Sequence, residues 1–581
     1  MKYNILGLGT LLVGAVMLGS CSLDETPKSK FDEKDAFANS TLIYVNSVAN
    51  VYSAIGNSIY GDAGAAVHTL QEFTSDATML PGRQGDWVDG GKWQNFFLHN
   101  FASSVDTYNN VWSNLYKVVG LCNSSIDKLQ GLAETVPASQ DYIYELRALR
   151  AIFYYYLMDL YGQIPLVTSS SVSTSDVAQS NRSKVFEFVT SELADCIPHL
   201  SDQPSQKSGE YYGRITKAVA YMCMAKCALN APVYTIDNTS ETSYQDFVGT
   251  DKTGKNTVSE SLGEKVSTKG KGISITVDGQ SRNAWETVVY CVDQIAGLGY
   301  SLQPKYADNF IVQNENSVEN IFTRPDDDQK YKVSDYNLIR SLHYNHAGAM
   351  GYAGWNGACA STFEMKVYGY GTAAQDPRLT INFYTDKDYT ADTGGKTVKD
   401  GATDQDLEYM PMAAAVDFPA GVDPHIVKCA GARFKKYEYD KSSTIQGCIN
   451  NDLVIWRYGD ALLMKAEAEY RLGNKSQALA LVKQIRDRVG ATPLTTITLN
   501  DIRNERMLEL AWEGVRRQDE IRFCTFTQPT PDRYPGVEHN AAAGDYNDDT
   551  KGYTCVFPIP YAVLNLNTNL KQNPGYLAPS K

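Results

Sequence analysis

Apolar residues recur at three- and four-residue steps over much of this chain, the spacing that lines one face of an α-helix. Across 142–161 the recurring positions are Leu146, Leu149, Phe153, Leu157 and Leu160, and Gly162 followed by Pro165 supplies a stop. The same spacing predicts helices over about 105–132, 184–200, 216–229, 284–298, 453–472 and 476–489. Between them, 235–281 and 384–426 are polar and rich in Gly, Ser, Thr, Asp and Asn, and read as long loops. Within the first of these, Ile273, Ile275 and Val277 alternate with other residues, which predicts a hairpin near 272–277. The pattern is that of a mainly α protein with long irregular loops and a few short β-hairpins.

The N-terminus follows a different rule. Lys2 precedes an apolar run from Ile5 to Leu18, too short to span a bilayer and typical of a secretory signal. The tetrad Leu18-Gly19-Ser20-Cys21 resembles the bacterial lipobox, which implies that Cys21 becomes the multiply acylated first residue of the mature chain. Several acyl chains together hold a protein firmly, because each buried methylene contributes about 0.8 kcal/mol. The expected organisation is a signal segment over 1–20, a flexible tether over 21–31 and one unit over 32–581.

Composition removes some function classes. The formal net charge is −14, with a pI near 5.1, which argues against a nucleic-acid surface. The 11 cysteines are scattered with no Cys-x-x-Cys pair, so a disulfide framework is not expected, and Cys223 and Cys227 read as small core residues of one helix. Tyrosine is twice as common as phenylalanine, 38 to 19, which suits wet recognition surfaces but also packing between helices.

Two resemblances give this pattern a shape. Ala466-Glu-Ala-Glu-Tyr-Arg-Leu-Gly-Asn474, followed by Ala478, Leu479 and Val482, resembles a tetratricopeptide helix–turn–helix. One such repeat cannot bury its own faces, so 142–161 and 213–230 are the expected partners in a right-handed helical stack. Four further segments, in order, are Glu145 to Leu166, Trp456 to Ala468, Ile502 to Arg522, and Phe557-Pro-Ile-Pro560 with Asn569-Leu-Lys-Gln-Asn-Pro-Gly-Tyr576. Together with the lipobox they span nearly the whole chain and resemble the SusD/RagB-like family of outer-membrane nutrient-binding lipoproteins. That resemblance implies capture of an oligo- or polysaccharide at the cell surface. It also implies delivery to a SusC-like TonB-dependent transporter that the lipoprotein covers as a lid. The alternatives are peptide capture, as in the RagB-like branch, and a surface glycan hydrolase.

Catalysis finds little support in the residues. Glu505, Glu509 and Glu513 fall four apart on one helical face, whereas a glycosidase needs two carboxylates facing each other across a substrate. Arg506, Arg516, Arg147 and Arg150 are the expected partners of a structural ion network. His343 and His346 lack the arrangement of a zinc hydrolase, and no nucleophile elbow, phosphate loop or dinucleotide fingerprint occurs.

Two Gly-rich stretches instead combine aromatic faces with planar polar groups, Pro81 to Trp93 and His343 to Gly357. Sugar rings stack their C–H faces on indole and exchange hydrogen bonds with Arg, Asp and Asn. By position, and by the loops that the family resemblance implies near a glycan site, the candidates are Arg83, Asp86, Trp87, Tyr352, Trp355 and Asn356. Trp93 and Phe96 read as core. The ligand-binding lobe is expected mainly from about 60–104 and 235–450. No cofactor is expected, although Asp86 and Asp89 on their Gly-rich loop could hold a structural calcium ion.

Overall fold

The computed structural model describes residues 40–578 apart from 57, 61–63, 135, 331–335, 444–448 and 534–545. The signal, Cys21 and the tether lie outside the described residues. The main helices are α1 (Asp106–Gln130), α2 (Ser139–Tyr161), α3 (Arg182–Cys196), α4 (Lys217–Leu229), α5 (Glu260–Lys271), α6 (Ala284–Gly297), α7 (Tyr458–Leu472), α8 (Lys475–Val489) and α9 (Leu499–Glu509). They pack in succession: α1 on α2, α2 on α3, α3 on α4, α4 on α6, α6 on α7, and α7 on α8. The protein is mainly α, and among the described residues every sheet is a pair of short strands.

The helix ends follow from local chemistry. Gly162 ends α2 with φ 72°, and Gly473 ends α7 in the left-handed conformation at φ 104°, where a Cβ would be strained. Asn283 and Glu286 form a capping box at the start of α6. The α2 face carries Leu146, Leu149, Phe153, Leu157 and Leu160 into the core, each fully buried. All of its tyrosines but Tyr144 are buried too: Tyr154 exchanges hydrogen bonds with the Val167 backbone, and Tyr161 donates to the Tyr108 carbonyl at 2.7 Å. These tyrosines are core residues that carry their own polar satisfaction.

Three expectations change. Leu453–Arg457 is a fully buried strand paired antiparallel with Asn320–Arg324, and the helix begins only at Tyr458. A short run of Leu, Val, Ile and Trp fits helix and strand alike, and the partner strand decides. The stretch 235–281 is not all loop, because it contains α5. Its glycines are there for close packing: a Cβ on Gly270 would lie 2.3 Å from the Trp285 indole, and one on Gly263 2.6 Å from Leu499. Helix α7 packs on α8 and α6 and touches α4 directly, through Lys226 and Asp460 among others, whereas α2 pairs with α1 and α3. The hairpin forms as expected, Ser274–Val277 against Gln280–Asn283, turning through Asp278 and Gly279 at φ 49° and 71°.

The acidic helix α9 is bound into a buried ion network, but with other partners than its neighbours in sequence. The Glu509 carboxylate meets Arg457 at 2.7 Å, Arg378 at 3.0 Å, and Arg488. Glu505 pairs with Arg378 and Arg486; Glu513, expected on the same helical face, lies past the end of α9 and pairs with Arg457 and Lys436. Arg506 turns instead to Asp460 and Asp519, Arg516 to Asp76, and Arg147 and Arg150 to Glu192. Burial alone would raise the Glu509 pKa, but Arg488, Arg457 and Arg378 outweigh it and hold the carboxylate well below its usual range. Carboxylates saturated in this way have no free oxygen for acid–base chemistry on a substrate.

Candidate functional site

Two strand pairs bring the aromatic stretches together. Thr78–Met79 pairs antiparallel with Cys359–Ala360, placing the loop that starts at Pro81 beside the end of the 343–357 stretch. Gly82–Arg83 pairs in parallel with Asp417–Phe418 and draws in a third segment, part of the polar 384–426 stretch. A Cβ on Gly82 would lie 2.2 Å from the Asp417 carboxylate, so this pairing depends on glycine.

The resulting surface centres on two indoles. Trp355 is 41% exposed, the only tryptophan among the exposed large hydrophobic residues described. Trp87, half-buried, lies with its ring centroid 6.2 Å away at an interplanar angle of 41°, and its Nε1 donates to the Trp355 carbonyl at 3.0 Å. On its other side Trp87 meets Trp93 edge-on, centroids 6.3 Å apart. Trp93 and Phe96 are buried core, as expected. Gly357 completes the seat, since a Cβ there would fall 2.6 Å from the Trp87 ring. Trp87 holds this position on a left-handed backbone at φ 60°, and Gln84, Asp89 and Asn356 share that region at 51°, 39° and 51°. Such strain, about 1–3 kcal/mol for each residue, persists only where surrounding contacts over-determine it.

The contacts that do so come from two of the six sequence candidates. Arg83 does not face solvent: it is 2% exposed, and its guanidinium donates to the carbonyls of Val427 (2.5 Å), Ala430 (3.0 Å) and Gly357 (3.3 Å). Burial, then the like charge of Arg433, draws its pKa down to about 9, which leaves it charged at neutral pH. Asn356, 4% exposed, donates to the Lys428 carbonyl and accepts from Arg433. Both therefore correct the expectation of direct ligand contact. Their polar groups are taken up within the protein, which fixes the loops beneath the indoles. A Gly-rich loop needs such groups because it has few side chains of its own to pack.

The other candidates remain near the surface. Asp86 is exposed and lies 3.4 Å from Lys428, whose ammonium also sits 5.7 Å from the Tyr344 ring. Tyr352 is half-buried against Tyr439, centroids 5.0 Å apart. Tyr344 and Lys428 join the site without being sequence candidates: Tyr344 stands inside one of the two aromatic stretches, but nothing near Lys428 marks it. The histidines of that stretch are structural. His343 caps the next helix through Nδ1, His346 contacts the Tyr409 hydroxyl, and burial lowers their pKa values to about 3 and 4. Asp89 accepts the Trp93 indole N–H at 2.6 Å, so the two loop aspartates are each engaged by protein groups. Among the described residues no three His, Cys, Asp or Glu side chains converge as metal ligands. The nine described cysteines, Cys223 and Cys227 included, are free and buried.

Comparison with known proteins returns one family throughout. The sequence model of the SusD family matches residues 264–576, and a model described as starch-binding, associating with outer membrane, matches residues 23–229. The chain is 24% identical over 489 residues to the starch-binding protein SusD of Bacteroides thetaiotaomicron, spanning 78% of this chain and 76% of that protein. A SusD-like protein of Bacteroides ovatus is 22% identical over 481 residues, 80% of this chain and 74% of its own. Among solved structures, a laminarin-binding SusD-like protein, 20% identical, superimposes with a TM-score of 0.63 over 92% of this chain and 99% of its own. The surface glycan-binding protein A of Bacteroides thetaiotaomicron in complex with laminarihexaose, 18% identical, also gives 0.63, over 91% and 98%.

Proposed function

This chain belongs to the SusD family, and from that premise we propose that it captures glycan at the bacterial surface, with Trp355 and Trp87 as its stacking platform. The observation that carries this reading is the exposed Trp355 ring held beside Trp87 on strained backbone that two buried cations, Arg83 and Arg433, tie down. An indole kept in water at such cost is built for a ligand with an apolar face and a polar rim. Asp86, Lys428 and the Tyr344 ring lie beside it with groups suited to sugar hydroxyls. The relatives named for what they bind, starch and laminarin, support the ligand class.

The protein acts as a binder and not an enzyme: the conspicuous carboxylates are locked to guanidinium groups, and the named relatives are binding proteins. Cys21 carries the lipid that anchors the chain to the outer membrane, facing outward, and the bound glycan passes to a SusC-like TonB-dependent transporter. Affinity should be modest. An aromatic contact contributes about 0.5–1.5 kcal/mol beyond burial, and each hydrogen bond about as much. A net of about −4 to −7 kcal/mol corresponds to dissociation constants from about 1 mM to about 10 μM, weak enough for hand-over.

A carbohydrate array run beside a peptide pool tests the reading, followed by calorimetric titration of the best ligand. Binding to glycans that Trp355→Ala weakens supports it. Binding to peptides alone would transfer the platform to the other branch of the family, and turnover of a glycan would overturn the assignment as a binder.

A further inference from the structure

The helical stack holds a second opening that the platform does not use. Helices α1, α2 and α3 line an open cavity of about 350 Å³, at the lower end of the roughly 300–1,000 Å³ typical of small-molecule sites. A second hollow lined by Trp456 and Tyr156, by comparison, measures about 20 Å³, room for little more than a water. The cavity wall is mixed in the way a sugar requires. Phe188 is half-buried, with one side of its ring occupied by the Arg150 guanidinium 5.7 Å away. Around it stand Arg147, Arg150 and Glu192, with the exposed Gln130 and Gln140 at the rim.

The charges inside are already balanced. Arg147 donates to both Glu192 oxygens, at 2.6 and 3.2 Å, and pairs with Asp195 at 2.7 Å. Arg150 donates to Glu192 at 2.9 Å and is held by Asn123 and the Thr168 carbonyl. Within the cavity Glu192 answers both cations, and Asp195, outside the lining and largely exposed, takes up Arg147 from the other side. What remains for a ligand is the exposed amides of Gln130 and Gln140 and the remaining N–H groups of Arg147, whose charge is already paired. A carboxamide offers donor and acceptor side by side, the complement of vicinal hydroxyls.

We propose that this cavity is a second sugar site, one that takes a single neutral hexose or pentose unit. It rests on the glycan reading above but shares no residue with the platform. Two attachment points on one protein would raise the avidity for a long polymer without tightening either site.

Ligand-observed saturation-transfer NMR tests it, with the methyl glycosides of glucose, galactose, mannose and xylose at millimolar concentration. The proteins are wild type, Trp355→Ala, and the rim variants Gln140→Trp and Gln130→Trp, whose indoles would fill the opening from exposed positions. At least one glycoside should give saturation transfer with wild type and with Trp355→Ala, falling at least fivefold in a rim variant whose melting temperature is unchanged. The proposal is overturned if the transfer vanishes in Trp355→Ala and survives both rim variants, or if no glycoside gives transfer with any of the four. The platform is judged separately, by oligosaccharide affinity in Trp355→Ala. Loss there with no effect of the rim variants sinks the second site alone, and the reverse sinks the platform alone.

Discussion

Replacing Glu509 by Gln keeps the shape of a side chain at the centre of the ion network and removes its charge. In the wild type that carboxylate lies among Arg457, Arg378 and Arg488, all four groups buried. Glu505, Glu513, Glu319 and Asp376 also contact these cations, so the network is left one charge short and not empty. Breaking a buried pair by removing one partner costs about 3–5 kcal/mol, because the remaining charge keeps its desolvation penalty. Unfolding entropy of about 2.1 cal/mol/K per residue gives about 1.1 kcal/mol/K for the roughly 510 described residues, so the melting temperature should fall by about 3–4 °C. The sign of the pH dependence also follows. A carboxylate whose folded pKa is depressed stabilises above its unfolded value of about 4.3, and that contribution disappears as pH falls toward the folded value. Scanning calorimetry of both proteins from pH 7 down to pH 3 reads the two effects together. The gap should be full at pH 7 and narrow below about pH 4. A Glu509→Gln variant melting within about 1 °C of wild type at pH 7, or a gap that persists undiminished at pH 3, would refute the electrostatic account.

Trp355→Ala should weaken glycan binding about tenfold, roughly 1.4 kcal/mol, with little change in melting, because an exposed ring contributes little to the core; early unfolding with intact affinity in the folded fraction would make it a core residue. Gly357→Ala should weaken binding similarly by pushing the Trp87 indole off its seat, and titration beside a melting curve separates that from unfolding. Glu72 offers the opposite pH sign. Burial raises its pKa to about 7, so its contribution is full below about pH 4.3 and is lost as pH rises through 7. Glu72→Gln, which has no proton to lose, should therefore gain in melting temperature relative to wild type between pH 5 and pH 8, and a constant difference would show that Glu72 stays ionised. Cys21→Ala should move the protein from the membrane to the soluble fraction of fractionated cells, an outcome that membrane retention would contradict.

The helical half of the molecule was legible because its information is local. The positions of Leu146, Leu149, Phe153, Leu157 and Leu160 name a buried face whatever lies opposite, and Gly162 and Gly473 end helices where left-handed backbone admits glycine. The aromatic stretches were legible as places, since indoles on Gly-rich loops are rare without purpose. Trp355 and Trp87 came together as a pair across 268 residues of sequence. What the chemistry of single residues could not say was which polar groups face out. Arg83 and Asn356 have the right groups for a sugar, yet both are consumed by carbonyls of the 427–430 segment, a partner with no mark in the sequence.

Periodicity and caps determined by themselves that this chain would be a stack of helices, because a face with a 3.6-residue repeat must bury itself against another such face. Only the tertiary structure decided who pairs with whom. Glu509 has Arg506 three residues before it, but on α9 Arg506 turns toward Asp460 and Asp519, and the carboxylate meets cations from 52, 131 and 21 positions away. Charge pairing in a dry interior is settled by which groups the packed elements bring within about 3 Å, and long-range packing is not written in any local stretch. For the same reason α5 is hidden in the sequence: its glycines lower helix propensity, and their value appears only when Trp285 and Leu499 arrive against them.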